Sequence, residues 1–202
     1  GTGGGAGGEP VEGGGNGTGG GGALRWGTSW NSAQTEGYCY DALNRLTETV
    51  EPDPVSGAAG TGPTTSYAYD AAGNVISSTD ALLRTTVFAY DRDGRLVVTA
   101  DPSSQVTTAT WSGTTLSLAS PLGSVTFSDS SGKVVRSSGV LPGVTNVVYD
   151  GAGNCVETVD ARGYETRFAY DALNRVTTMT QPDPSTGAAG AGPVTSYGYD
   201  AA

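Results

Sequence analysis

The most regular hydrophobic pattern in the chain is a short alternation that ends in a reversal. In Ser66-Tyr67-Ala68-Tyr69 the tyrosines alternate with small residues, so both rings fall on one face of a strand. Asp70 follows, at the first position of a type I turn, where its carboxylate accepts a backbone N–H. Gly73 comes three residues later, where a three-residue hairpin loop needs a left-handed residue and a G1 bulge. A returning strand starts at Val75. The segment predicts a β-hairpin.

The same grammar recurs along the chain. Tyr-Asp pairs stand at Tyr40-Asp41, Tyr69-Asp70, Tyr90-Asp91, Tyr149-Asp150, Tyr170-Asp171 and Tyr199-Asp200. Three residues beyond the aspartate lie Asn44, Gly73, Gly94, Gly153 and Asn174. Glycine enters the left-handed region freely and asparagine tolerates it better than most residues. Arg45, Asn74, Arg95, Asn154 and Arg175 come next, then Leu46, Val75, Leu96, Cys155 and Val176. Asp129, Gly132, Lys133 and Val134 fit the same order.

The tyrosine spacings are 29, 21, 59, 21 and 29 residues. A 21-residue unit explains the short spacing, and a Pro/Gly-rich insertion the 29. The spacing of 59 resolves into units if Trp111 and Ser128-Asp129 mark two worn copies. Residues 104–128 depart from the pattern and leave the pairing there unassigned. A longer period is superimposed, since residues 40–72 match 170–202 at 23 of 33 positions. Both copies carry Pro-Asp-Pro, Gly-Ala-Ala-Gly and Gly-Pro, which break strands and predict a long surface loop.

A single hairpin is not stable in water. Leu, Ile, Val and Phe supply only 34 of 202 residues, fewer than a compact core needs. Stability must therefore come from neighbours pairing edge to edge, with Tyr over Tyr and Val or Leu in rows. The expected fold is all-β, an array of hairpins in a continuous curved or spiralling antiparallel sheet. It should occupy residues 38–202. Residues 1–37 precede it as a linker and a transitional stretch: 14 of the first 22 residues are glycine, a composition that cannot fix its backbone cheaply. No Gly-Lys-Ser/Thr follows this run, so a phosphate loop is disfavoured. Trp26 and Trp30 could cover the end of the first repeat or line a sugar site. The chain begins at Gly1 and stops mid-pattern, as a fragment of a longer repeat region would.

Charge narrows the partners. The net charge is −10, with no histidine, so nucleic acid and anionic membrane surfaces are poor matches. No apolar run is long enough for a membrane-spanning helix. Cys39 and Cys155 match no zinc spacing, and a disulfide between them is open. Asp91-x-Asp93-Gly94 resembles the start of a calcium loop but lacks the bidentate Glu. A Ser or Cys nucleophile would lack a His base. No cofactor, metal or catalytic residue is expected, and the chain reads as a non-enzyme.

These features resemble the RHS/YD-repeat family, whose signature is Tyr-x-Tyr-Asp-x-x-Gly-Arg-Leu. The nearest copies are Phe88-Ala89-Tyr90-Asp91-Arg92-Asp93-Gly94-Arg95-Leu96 and Phe168-Ala169-Tyr170-Asp171-Ala172-Leu173-Asn174-Arg175-Val176. The resemblance implies a segment of a β-shell wall, secreted or at the cell surface, which encloses a C-terminal cargo or toxin domain. Its partners would be flanking repeats of the same polypeptide and that cargo. The alternative it implies is a surface adhesion module that binds glycans or a protein partner. The family's terminal self-cleavage segment has no counterpart here.

Overall fold

The computed structural model describes residues 23–27, as backbone, together with 36–58 and 60–200. The glycine-rich stretch 1–22, the Trp26 side chain and Trp30 lie outside the described residues. The strands are β1 Ala23–Gly27, β2 Glu36–Tyr40, β3 Leu46–Val50, β4 Thr64–Tyr69, β5 Val75–Thr79, β6 Thr85–Tyr90, β7 Leu96–Ala100, β8 Thr108–Ser112, β9 Thr115–Ser120, β10 Gly123–Ser130, β11 Lys133–Ser138, β12 Val144–Tyr149, β13 Cys155–Val159, β14 Glu165–Tyr170, β15 Val176–Thr180 and β16 Val194–Ser196. A 3-10 turn, Pro102–Ser104, follows β7.

Twelve of these strands form one open, curved antiparallel sheet. Its order is β1 through β7, then β12 through β16, and the remaining strands form a four-stranded sheet ordered β11-β10-β9-β8. The main sheet is a hairpin ladder in sequence order with one omission. β7 pairs directly with β12, Ala100 opposite Val144 and Val98 opposite Asn146. The backbone N–H of Asp101 donates to the Gly143 carbonyl at 2.9 Å and closes the neck of the excursion. Gly143 has φ +73, and a Cβ there would strike the Asp101 carboxylate, so the neck needs glycine.

This arrangement corrects the reading of two worn copies between Tyr90 and Tyr149. The 59-residue spacing is one hairpin unit carrying a long insertion, just as the 29-residue spacing carries a short one. The Asp129 turn is of another kind. Ser130 pairs with Lys133, and Ser131 and Gly132 between them have φ 57 and 80. That is a two-residue loop with both central residues left-handed, the type I′ pattern. Lys133 therefore belongs to the paired strand β11 of the small sheet and is no counterpart of Arg45.

The insertion folds back on the face of the ladder. Val87, Ala89, Val98, Ala100 and Val144 from the main sheet meet Leu116, Leu118, Val125, Phe127 and Val134 from the small one. Phe127, Leu116 and Val125 are fully buried, and each contributes roughly 1.5–3 kcal/mol of transfer free energy. The aliphatic residues that the composition makes scarce are concentrated here. Asn146 lies buried between the sheets, its Nδ2 donating to the carbonyls of Val97 at 2.8 Å and Val134 at 3.2 Å.

Each of the five Tyr-Asp hairpins of the main sheet also contains a bulge. Tyr40 faces Leu46 while Cys39 faces Glu48, which leaves Thr47 as the extra residue. The same register shift sets aside Ile76, Val97, Val156 and Thr177 in the other four. Bulges increase the local right-handed twist and bend the strand, and their regular recurrence gives the ladder its curvature. Simple alternation does not reveal them.

Candidate functional site

Asparagine or glycine closes these five Tyr-Asp turns with positive φ: Asn44 61°, Gly73 93°, Gly94 75°, Gly153 88° and Asn174 58°. In the first turn Asn44 N–H donates to the Asp41 carbonyl at 3.0 Å, and Asp41 N–H donates to the Arg45 carbonyl at 2.9 Å. These two bonds define a type I turn with its G1 bulge. Oδ1 of Asp41 accepts the N–H groups of Leu43 and Arg45, each at 2.9 Å. Asp70, Asp91, Asp150 and Asp171 repeat the arrangement. These turns line one edge of the main sheet.

The second carboxylate oxygen holds the residue four places on. Nε of Arg45, Arg95 and Arg175 donates to Oδ2 of Asp41, Asp91 and Asp171 at 2.7, 2.7 and 2.8 Å. Asn74 and Asn154 donate through Nδ2 to Asp70 and Asp150 at 2.9 and 3.0 Å. The backbone N–H of Arg45 chiefly, and its side chain, hold the Asp41 carboxyl below its ordinary value. Asp171 is lowered in the same way by Arg175. At Asp70, burial pushes upward but the amide of Asn74 and the turn N–H groups outweigh it, and the net direction is down.

The arginines reach across to the next hairpin. Arg45 places its guanidinium 4.8 Å from the ring centre of Tyr69, Arg95 lies 4.8 Å from Tyr149, and Arg175 lies 4.4 Å from Tyr199. Arg45 Nη1 also donates to the Asp70 carbonyl at 2.9 Å. The tyrosine answers in the opposite direction. Its hydroxyl donates to a backbone carbonyl of the preceding hairpin, Tyr69 to Leu46 at 2.6 Å and Tyr170 to Cys155 at 2.8 Å. Tyr199 does the same to Val176 at 2.8 Å. Aspartate, arginine and the following tyrosine thus form a staple between hairpins. At these junctions the expected Tyr-over-Tyr contact is replaced by guanidinium over ring.

The opposite edge has aspartate turns that the tyrosine spacing does not mark. Asp80 accepts Leu82 N–H and Arg84 N–H through Oδ1, both at 2.9 Å, and Leu83 takes φ 60. Asp160 does the same for Arg162 and Tyr164, and its turn closes with Gly163 at φ 86. Asp160-x-x-Gly163 obeys the same spacing rule and was readable from it. The Pro-Asp-Pro insertions are two copies of one built loop at this edge. Asp53 N–H donates to the Ala58 carbonyl at 2.9 Å and Asp183 N–H to the Ala188 carbonyl at 3.0 Å.

The cysteines are both free thiols, and burial raises the pKa of each. β2 and β13 lie seven strand steps apart in the sheet, roughly 34 Å at the usual spacing, so no disulfide joins them. Asp91 and Asp93 are both engaged by Arg95, at 2.7 and 3.2 Å. Among the described residues, no group of three or more His, Cys, Asp or Glu is placed to hold a metal ion.

Fold and turns together define an open array of β-hairpins stapled edge to edge. Residues 69–115 and 149–186 match the family model described as RHS Repeat. No curated protein matches the chain. Among solved structures it is similar to TcdB2-TccC3-TEV, at 16% identity and a TM-score of 0.29, over 73% of this chain and 8% of that one. It is also similar to TcdB2-TccC3 without its hypervariable C-terminal region, at 13% identity and 0.28, over 78% and 11%. A third is a mutant Tc holotoxin pore of Photorhabdus luminescens, at 13% identity and 0.21, over 73% and 12%. The chain spans about a tenth of the length of these structures.

Proposed function

We propose that the chain is a wall segment of an RHS/YD-repeat shell, which encapsulates a cargo or toxin domain of the same polypeptide. The observation that carries this reading is the staple. Arg45 belongs to one hairpin and its ring partner Tyr69 to the next, as do Arg95 with Tyr149 and Arg175 with Tyr199, so a stapled hairpin completes its packing on its neighbour. Such an array grows by addition, with no fixed strand number, as a wall must. The ladder is continuous from β1 to β16 and its two end strands do not pair with each other. The large insertion leaves and re-enters at one edge through the Asp101–Gly143 clasp, so it decorates the sheet without interrupting it. The role is structural and non-catalytic, and a secreted or cell-surface location accompanies it.

The test is limited proteolysis of the full-length polypeptide that contains this segment. An enclosed domain stays intact until denaturant opens the repeat wall. Digestion of that domain at the rate of its isolated form overturns the reading and favours a surface adhesion role.

A further inference from the structure

We propose that the cavity beside Asn74 is a guanidinium socket that takes the arginine side chain of a peptide segment. The chain itself supplies the template three times. Asp41, Asp91 and Asp171 each hold an arginine four residues on, and that arginine covers the next tyrosine ring at 4.4–4.8 Å. In the Asp70 unit the arginine position is Asn74, whose Nδ2 reaches Asp70 Oδ2 at 2.9 Å. An asparagine is too short to cover the following ring, Tyr90. A cavity of about 480 Å³ opens at this place, with Asp70, Asn74, Tyr90, Asp91, Arg92 and Trp111 in its walls.

The walls fit a planar cation. Trp111 is fixed by its Nε1, which donates to the Tyr90 carbonyl at 3.1 Å, and Trp111 and Tyr90 both line the cavity. The Asp70 carboxylate is held by neutral donors, the Asn74 amide and the N–H groups of Ala72 and Asn74. The neighbouring charges are already matched, Asp91 with Arg95 at 2.7 Å and Arg92 with Asp129 at 3.8 Å. A guanidinium stacks on aromatic faces and forks onto a carboxylate, which an ammonium does less well.

The other asparagine unit shows what closes the space elsewhere. Asn154 Nδ2 bridges to Asn174 Oδ1 of the next turn at 2.9 Å. The corresponding residue beyond Asn74 is Gly94, and a Cβ placed there would meet nothing within 4 Å. The socket is therefore open where glycine replaces asparagine.

The experiment titrates the chain with Nα-acetyl-L-arginine amide, with the lysine analogue and with free L-arginine, while NMR follows the Trp111 indole N–H and the Tyr90 ring. Saturable shifts at both residues are expected with the arginine amide, with binding at least about fivefold weaker for the lysine amide. Asn74→Arg supplies the missing guanidinium from within and should abolish the shifts and raise the melting temperature. Asp70→Asn keeps the turn acceptor, removes the charge and should weaken binding by about fivefold or more. Equal response to lysine and arginine, unsaturable shifts, or full binding by Asn74→Arg or Asp70→Asn would each overturn the proposal. Binding of free arginine alone would overturn the assignment to a peptide segment.

Discussion

The guanidinium of Arg95 lies 4.8 Å above the ring of Tyr149, although 54 residues separate them in sequence. The same side chain holds Asp91 at 2.7 Å and reaches the carbonyls of Gly132 at 3.3 Å and Asp150 at 3.4 Å. It therefore joins both sides of the excursion and touches the small sheet. Arg45 makes the equivalent staple in a plain junction. The decisive difference is burial of the acid, because the Asp91 side chain is 2% exposed and that of Asp41 is 23% exposed.

Arg95→Ala should thus cost much more than Arg45→Ala. The first strands a buried carboxylate, a loss of roughly 3–5 kcal/mol. The second removes a half-exposed pair and a ring contact, worth about 1 kcal/mol together. Urea unfolding of the two variants measures the difference. Equal losses would show that the excursion adds nothing to the staple.

Backbone strain gives a pair of opposite outcomes. Gly73 has φ +93 with open space around it, so Gly73→Val forces a β-branched residue into a region it rarely adopts. Ala71→Val in the same turn should cost distinctly less. Leu83 already occupies φ 60 while exposed at 84%, and Gly163 stands at the matching place in the Asp160 turn. Leu83→Gly should raise stability by up to about 1 kcal/mol through relief of that strain. A fall in melting temperature for Leu83→Gly would contradict it.

Turns were legible because their causes are local. Asp70 and Gly73 determine one reversal within four residues, and the same chemistry can be read at every copy. Leu83 hid its turn because nothing in a leucine announces positive φ. The partners of the arginines were not legible, since Arg95 finds Tyr149 only after the intervening insertion has left the sheet. That departure depends on the Asp101–Gly143 clasp and on burial of Val87, Val98 and Val144 under Phe127, all long-range events. The worn-copy reading followed from spacing and from the Asp129-x-x-Gly132-Lys133 order, and neither distinguishes a degraded repeat from an inserted sheet.

Acid should weaken the array. Asp41, Asp70, Asp80, Asp150, Asp160 and Asp171 all have lowered folded-state values, through turn N–H groups and their Arg or Asn partners. A depressed carboxyl contributes stability that is fully present above its unfolded value, near about 3.9. That contribution disappears as pH falls through the lower folded values. The melting temperature should be flat from neutral pH to about 5 and fall steeply below about 4. Replacing these aspartates by asparagine should lower the plateau and flatten the acid limb, and an unchanged acid limb would remove the turn carboxylates as its cause.

The thiols offer a test of strand order. With Cys39 on β2 and Cys155 on β13, the sheet holds them apart. The chain should present two titratable thiols in denaturant without reduction, and reductant should leave its melting temperature unchanged. One intramolecular disulfide in the folded monomer would refute the order in which the hairpins pair.

Removing the excursion separates the ladder from its cover. Replacing residues 102–142 with a short turn, so that Asp101 and Gly143 keep their contact, should preserve the pairing of Ala100 with Val144. The hydrogen-bonded ladder needs nothing from the small sheet, because every other junction forms without it. The face would change, however. Val87, Ala89, Val98, Ala100 and Val144, all buried at 5% exposure or less, would meet water as one contiguous patch. Patches of that kind drive association. The shortened chain should keep its β-sheet circular dichroism, bind a hydrophobic dye and self-associate, and charged substitutions at Val87 and Val98 should restore the monomer. If the shortened chain instead loses its β signal altogether, the four-stranded sheet is a folding requirement of the ladder and not a cover laid upon it.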